Sequence, residues 1–256
     1  MSEGSIVARQ GGRWLADREF GTRARLGLIT PSRGWTPEHE WPRMLPRGVS
    51  YLVARMPLKS TTPEELRRMG THALAAAEML ASAEVDVIAY GCTVETILQG
   101  LEYDRAVEKK LGEATQTPAR TMTGAVMEAL RSFGVSRLAL VTPYIEEINR
   151  REIAFMASVG IEIVHETGLG IADTVAIAKI PPERVIELGR AAAAQAPHAE
   201  ALFLSCGNLR TLEAIPVLEA EIGKPVISSN QALLWSSLRL AGIDDAMAEF
   251  GSLFER

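Results

Sequence analysis

Short apolar runs alternate with longer segments of helical period along most of this chain. Leu26 to Thr30, Val49 to Ala54, Val85 to Tyr90, Leu138 to Thr142, Ile161 to His165, Ala201 to Leu204 and Pro225 to Ser228 are such runs. Their length and their content of Leu, Ile and Val predict strands buried on both faces. A further short strand and crossover is expected at Thr117 to Met122. Pro31 has no N–H to give a ladder, so the first strand ends there and Ser32-Arg33-Gly34-Trp35 is a loop. Thr61-Thr62-Pro63-Glu64-Glu65 is a helix start: a hydroxyl cap, proline in the first turn, and acids at the positive end. Leu66, Met69, Ala73, Ala76, Ala77 and Leu80 then recur on one face, which predicts one helix as far as Ser82.

Thr93 is placed to cap a short helix from Val94 to Leu101, and another runs through Leu111. Helices are also predicted over Gly124–Phe133, Ile145–Val159, Pro182–Ala196, Leu209–Ile222 and Asn230–Leu240. Gly160, Gly223 and Gly242 stop the helices before them. Strands alternating with helices of roughly ten residues or more specify parallel βαβ units and the α/β class.

The pattern repeats. Arg25-Leu26-Gly27-Leu28-Ile29-Thr30-Pro31 is echoed by Arg137-Leu138-Ala139-Leu140-Val141-Thr142-Pro143. At nearly the same offset, Val85–Tyr90 followed by Gly91-Cys92-Thr93 is echoed by Ala201–Leu204 followed by Ser205-Cys206-Gly207. The chain therefore reads as a duplicated unit: two pseudo-twofold-related lobes, each a short parallel sheet flanked by helices. Ligands of such sheets collect at the carboxyl ends of strands. Both cysteines fall there, so the site is expected in the cleft between the lobes.

Composition narrows the function. Net charge is −5 with no basic stripe, which argues against nucleic acid. No apolar run reaches the roughly 18 residues of a membrane span. Residues 1–21 are polar and lack the apolar core of a signal peptide, so they read as an N-terminal extension and the location as cytoplasmic. Thiols stay reduced there, which disfavours a disulfide between the two cysteines. The four histidines show no ligand spacing, so no metal is expected. There is no dinucleotide fingerprint or phosphate loop either, so no cofactor is expected.

A cysteine between a strand and a helix start feels the positive helix end, which lowers its thiol pKa. One thiolate and one thiol on opposite faces of a carbon can take a proton from one side and return it from the other. Developing negative charge would be held by the N–H groups of Thr93, Val94, Gly207 and Asn208 and the hydroxyls of Thr93 and Ser205. Ser32 and Tyr144 join these as carboxylate contacts, although Tyr144 equally suits a half-buried loop aromatic. Arg33 and Arg210 either bind a carboxylate or pair at the surface. Asn208 either orients a carboxylate or caps a helix.

These residues resemble the aspartate/glutamate racemase superfamily, in its branch of maleate cis–trans isomerases and arylmalonate decarboxylases. The likeness spans about Arg25 to Gly242. It is sharpest at Leu204-Ser205-Cys206-Gly207-Asn208-Leu209-Arg210-Thr211-Leu212, at Gly223-Lys224-Pro225-Val226-Ile227-Ser228-Ser229-Asn230-Gln231-Ala232, and at Thr142-Pro143-Tyr144 with Asn149. It implies a cofactor-independent isomerase of small carboxylates, a racemase or a cis–trans isomerase, working as a homo-oligomer. In the cis–trans case Cys92 is the nucleophile and Cys206 the acid. It also implies that the helix after Ser229 returns to the first lobe and that the helix after Thr121 belongs to the second. The lobes are then 22–120 with 229–256, and 121–228.

The decarboxylases of the branch look like one-cysteine enzymes, with glycine where this chain has Cys92 and a tyrosine where it has Leu66. Maleate isomerases carry Asn where this chain has Gly34, and a second Asn near Asp173-Thr174. These departures point away from maleate itself. The rival readings are a decarboxylase using Cys206 alone and a non-catalytic carboxylate-binding protein.

Overall fold

A computed structural model describes residues 20–256. The expected N-terminal extension lies outside them except for its last two residues. Eight parallel strands form two sheets. The first has β1 (Ala24–Pro31), β2 (Val49–Met56), β3 (Val87–Tyr90) and β4 (Ala119–Thr121), in the order β2-β1-β3-β4. The second has β5 (Arg137–Thr142), β6 (Glu162–Gly168), β7 (Ala201–Leu204) and β8 (Val226–Ser228), in the order β6-β5-β7-β8. The two orders match strand for strand, so the repeat in the sequence is a repeat of topology. Register aligns Ile29 with Tyr90, and Val141 with Leu204. Beyond these pairs, Gly91 N–H donates to the Ile29 carbonyl (2.7 Å) and Ser205 N–H to the Val141 carbonyl (2.9 Å). Each cysteine thus leaves its sheet at the same corner.

The helices are α1 (Thr36–Met44), α2 (Pro63–Gly70), α3 (Ala73–Ala81), α4 (Thr93–Gln99), α5 (Leu101–Thr115), α6 (Met122–Ser132), α7 (Glu146–Ser158), α8 (Thr174–Ala178), α9 (Pro182–Gln195), α10 (Ala214–Ile222) and α11 (Ser229–Leu240). Although α6 comes after β4, it packs against β8 of the second sheet. Although α11 comes after β8, it packs against β3 and β4 of the first, and α6 and α11 lie against each other. Every residue of α11 from Ser229 to Leu238 is buried, and a capping box of Ser228 and Gln231 starts it.

Two local expectations change, and helix α1 is an element that the sequence did not announce. The helix predicted through Ser82 breaks after Gly70, where the Thr71 hydroxyl and N–H both turn back to the Arg68 carbonyl (2.7 and 3.2 Å). A Cβ at Gly70 would lie 2.7 Å from Glu95 Oε1, so α2 closes tightly on α4 there. Helix α1 has no clear apolar period and carries Pro42 inside it, yet Thr36, Pro37, Glu40, Trp41 and Met44 are all buried. The helix expected from Leu209 begins only at Ala214, which leaves 207–213 as a loop.

Candidate active site

Cys92 and Cys206 are free, buried, and 7% exposed each. They line one cavity of about 500 Å³, part of it open to solvent, together with Gly34, Thr93, Val94, Tyr144, Gly207 and Asn208. Cys92 is the N-cap of α4, so the first-turn N–H groups point at the cavity without intrahelical acceptors. Cys206 adopts φ 114°, a region that side chains rarely occupy. Its N–H donates to Ser229 Oγ at 3.0 Å. The Gly207 N–H finds no acceptor among the described residues. The Asn208 N–H donates to the Cys206 sulfur at 3.3 Å.

The thiols depart from the helix-end expectation. Burial pushes Cys206 up to about 11 and Cys92 higher still. The helix-end effect exists: the N–H groups of Glu95 and Val94 pull Cys92 down. Desolvation outweighs it, and the buried Glu95 adds like charge. At Cys206 the Tyr144 hydroxyl and the Asn208 and Leu209 N–H groups pull down against burial and Glu152. At both sulfurs burial is the largest influence, and it favours the neutral thiol.

Three expected contacts lie outside the cavity wall. Ser32 Oγ accepts the Leu58 N–H at 3.0 Å. Arg33 turns outward to Asp173 (2.7 Å), where both side chains are solvated. Ser205 is fully buried and faces Glu152 on α7. Neither Glu152 carboxyl oxygen nor the Ser205 hydroxyl has a hydrogen-bond partner among the described residues. Arg210 is not in the wall either. Asn208 reaches the wall, but its side chain is committed. Its Oδ1 accepts the Trp35 and Thr36 N–H groups (2.8 and 3.1 Å), and its Nδ2 donates to the Thr174 carbonyl at 2.7 Å. It is the cap of α1, a helix from the other half, which has no side-chain cap of its own.

The sequence reading missed Pro37, Leu58, Thr61 and Ile177 in the wall. Thr61 and Thr174 join across the rim by a hydroxyl pair at 2.7 Å. Thr61 stands in a recognisable helix start. Ile177 lies on the short helix α8, too short for any period to show. Among the described residues, no Asp, Glu, Lys, Arg or His lines the cavity. Among the described residues, no group of His, Cys, Asp and Glu is clustered to hold a metal, and no helix is long and apolar enough to cross a membrane.

The sequence profile of the arylmalonate decarboxylase family matches residues 26–254. Arylmalonate decarboxylase of Bordetella bronchiseptica is 32% identical, covering 90% of this chain and 96% of its own length. A maleate isomerase of Pseudomonas putida is 31% identical over 90% of this chain and 96% of its own. Among solved structures, the maleate-bound maleate isomerase of Pseudomonas putida S16 superposes with a TM-score of 0.85 at 30% identity, covering 90% of this chain and 97% of that one. A Nocardia farcinica maleate cis–trans isomerase holding a covalently bound succinylcysteine intermediate gives a TM-score of 0.83 at 28% identity, covering 90% and 98%.

Proposed function

Because the chain belongs to the arylmalonate decarboxylase family, we propose that it is a cofactor-independent isomerase in which Cys92 and Cys206 exchange protons with one carbon of a small carboxylate. The observation that carries this is the position of both sulfurs in the wall of one cavity, at equivalent corners of two repeated sheets. One sulfur, as thiolate, takes the proton from the carbon next to the carboxylate, and the electron pair passes into the carboxylate as an enediolate. The other thiol returns a proton to the opposite face. The sulfurs have then exchanged protonation states, and exchange with solvent resets them. First-turn N–H groups at Thr93 and Val94, the Gly207 N–H and the Tyr144 hydroxyl hold the developing charge, with no solvent reorganisation needed.

The cavity also favours a substrate class. Among the described residues no wall residue is charged, so a carboxylate meets only neutral donors, the unpartnered Thr30 hydroxyl among them. Pro31, Pro37, Leu58, Leu66 and Ile177 suit an apolar substituent. A small carboxylate bearing an apolar group on the reacting carbon fits best. A cis–trans isomerisation, with one sulfur adding to an alkene carbon, is the second reading, favoured by the likeness to maleate isomerases. The same reading takes 22–120 with 229–256 and 121–228 as lobes that close on the substrate, in a cytoplasmic homo-oligomer. The exchange of α6 and α11 between the sheets supports that division.

The test uses single enantiomers of 2-substituted carboxylates in D2O, read out by chiral chromatography and NMR. The protein should racemise one class with deuterium entering at the reacting carbon. Cys92→Ser and Cys206→Ser should each abolish racemisation. Full turnover in either variant sinks the two-thiol scheme. Carbon dioxide release from a disubstituted malonate that survives Cys92→Ser would favour the decarboxylase instead.

A further inference from the structure

The two cysteine loops differ on the C-terminal side of the sulfur. After Cys92 the chain enters α4 at once, and helical bonds fix the next residues. After Cys206, strained at φ 114°, no helix begins until Ala214. Something outside the loop has to hold it. Part of the support comes from the start of α11: Ser229 Oγ takes the Cys206 N–H, and the Thr211 hydroxyl donates to Ser228 Oγ at 2.9 Å.

The rest comes from α1 across the interface. Glu40 is 1% exposed and has no arginine, lysine or histidine partner among the described residues. Its Oε1 accepts the N–H groups of Thr211 (2.6 Å) and Leu212 (2.9 Å), and its Oε2 accepts from Asn230 Nδ2 (2.8 Å). Thr36 of the same helix donates its hydroxyl to the Asn208 carbonyl at 2.8 Å. A buried carboxyl with no cation is costly. Here two of its three donors are backbone amides of the loop that carries the second thiol.

We propose that Glu40 is a positioning residue for Cys206: from α1 it braces the 207–213 loop and so sets where the sulfur stands in the cavity wall. The consequence for turnover rests on the two-thiol reading; the brace itself does not. Asn230 Oδ1 has no partner and lies beside Gly207, so the amide is able to turn over. Glu40→Gln is then tolerated, because the glutamine oxygen keeps the two backbone bonds and its amide donates to Asn230 Oδ1. Glu40→Met fills the same space and strands all three donors.

The two variants are compared by hydrogen exchange of the 207–213 amides, by alkylation of Cys206 in a Cys92→Ala background, and by kcat and KM. Glu40→Met should speed exchange across the loop by about tenfold or more, alter the alkylation rate severalfold, and lower kcat by roughly tenfold. Glu40→Gln should stay within about threefold of the parent. Unchanged loop exchange and alkylation in folded Glu40→Met, whatever its melting temperature, overturns the proposal. If that variant does not fold, the parent protein decides: Thr211 and Leu212 must be the slow amides of the loop, and exchange at the rate of an exposed loop is equally fatal. Turnover that survives loss of either cysteine defeats the two-thiol reading and leaves the exchange result standing.

Discussion

The Cys206 sulfur faces the Tyr144 hydroxyl and the amides of Asn208 and Leu209, and these three pull its pKa down against burial, which pushes it up to about 11. Alkylation of this thiol by iodoacetamide should therefore be slow at pH 8.5 and climb toward pH 11. Rapid labelling near neutrality would contradict a buried, protonated thiol. Tyr144→Phe removes one hydrogen bond to the thiolate, so the thiol should ionise at still higher pH. At fixed pH below the midpoint the alkylation rate should then drop by about tenfold, the weight of one bond to a charged group. An unchanged rate would mean that the phenol does not serve the sulfur. Close packing at single residues also explains Gly34: a Cβ there would sit 3.0 Å from Thr30 Oγ1 and 3.2 Å from the Pro31 carbonyl. A side chain at that position requires its neighbours to give.

Among the elements, α1 depends most on others. Its N-cap residue, Trp35, makes no side-chain cap, and its first amides are answered by Asn208 from the second cysteine loop. Asn208→Ala leaves two amides unpaired, that of Thr36 buried and that of Trp35 partly so, and should cost about 1–2 kcal/mol in urea unfolding. Asn208→Asp keeps the accepting oxygen and should cost less. Equal losses from the two substitutions would show that the capping oxygen is not what matters. Helix α11 is the contrasting case, since its capping box is its own: Ser228 Oγ accepts the Gln231 N–H, and the glutamine side chain accepts the Ser228 N–H. A helix buried along ten successive residues between two sheets cannot depend on a donated cap without tying its register to a distant loop.

For the whole molecule, buried acids set the pH dependence of stability. Glu40 and Glu152 are pushed up to about 7 and Asp104 to about 6, in each case chiefly by burial. Unfolded carboxyls ionise well below these values, so as pH rises the unfolded chain releases these protons first. The stability that these groups contribute is complete below the unfolded values and is lost as pH climbs through 6 to 7. For Glu40 or Glu152 taken singly the loss is on the order of 3 kcal/mol. Glu200, held down to about 2 chiefly by the Ser136 and Arg137 N–H groups, acts oppositely, but only at far lower pH. Unfolding free energy should fall between pH 5 and pH 8, and Glu152→Gln should flatten that fall. A profile that rises over this range would show that the acids are ionised at no cost in the fold.

The alternation of strands and helices, the doubled unit and the seat of both cysteines at strand ends were legible in the sequence. Each is written locally, in the period of apolar residues and in the proline, glycine and hydroxyl residues that stop or start an element. Helix α1 was not legible, because Glu40 and Trp41 are buried by residues far along the chain and not by any period of their own. Nor was the fate of Ser32, Arg33 and Ser205, whose neighbours, Leu58, Asp173 and Glu152, are distant in sequence. Asn208 was read as a carboxylate ligand or a cap, and only the packing of two halves against each other showed that the helix it caps is α1. The thiols teach the same lesson in electrostatics. A helix end is a local dipole and can be inferred from sequence, whereas desolvation sums over every atom that excludes water: at Cys92 the sum outweighs the dipole, and at Cys206 burial acts where no helix start follows the sulfur.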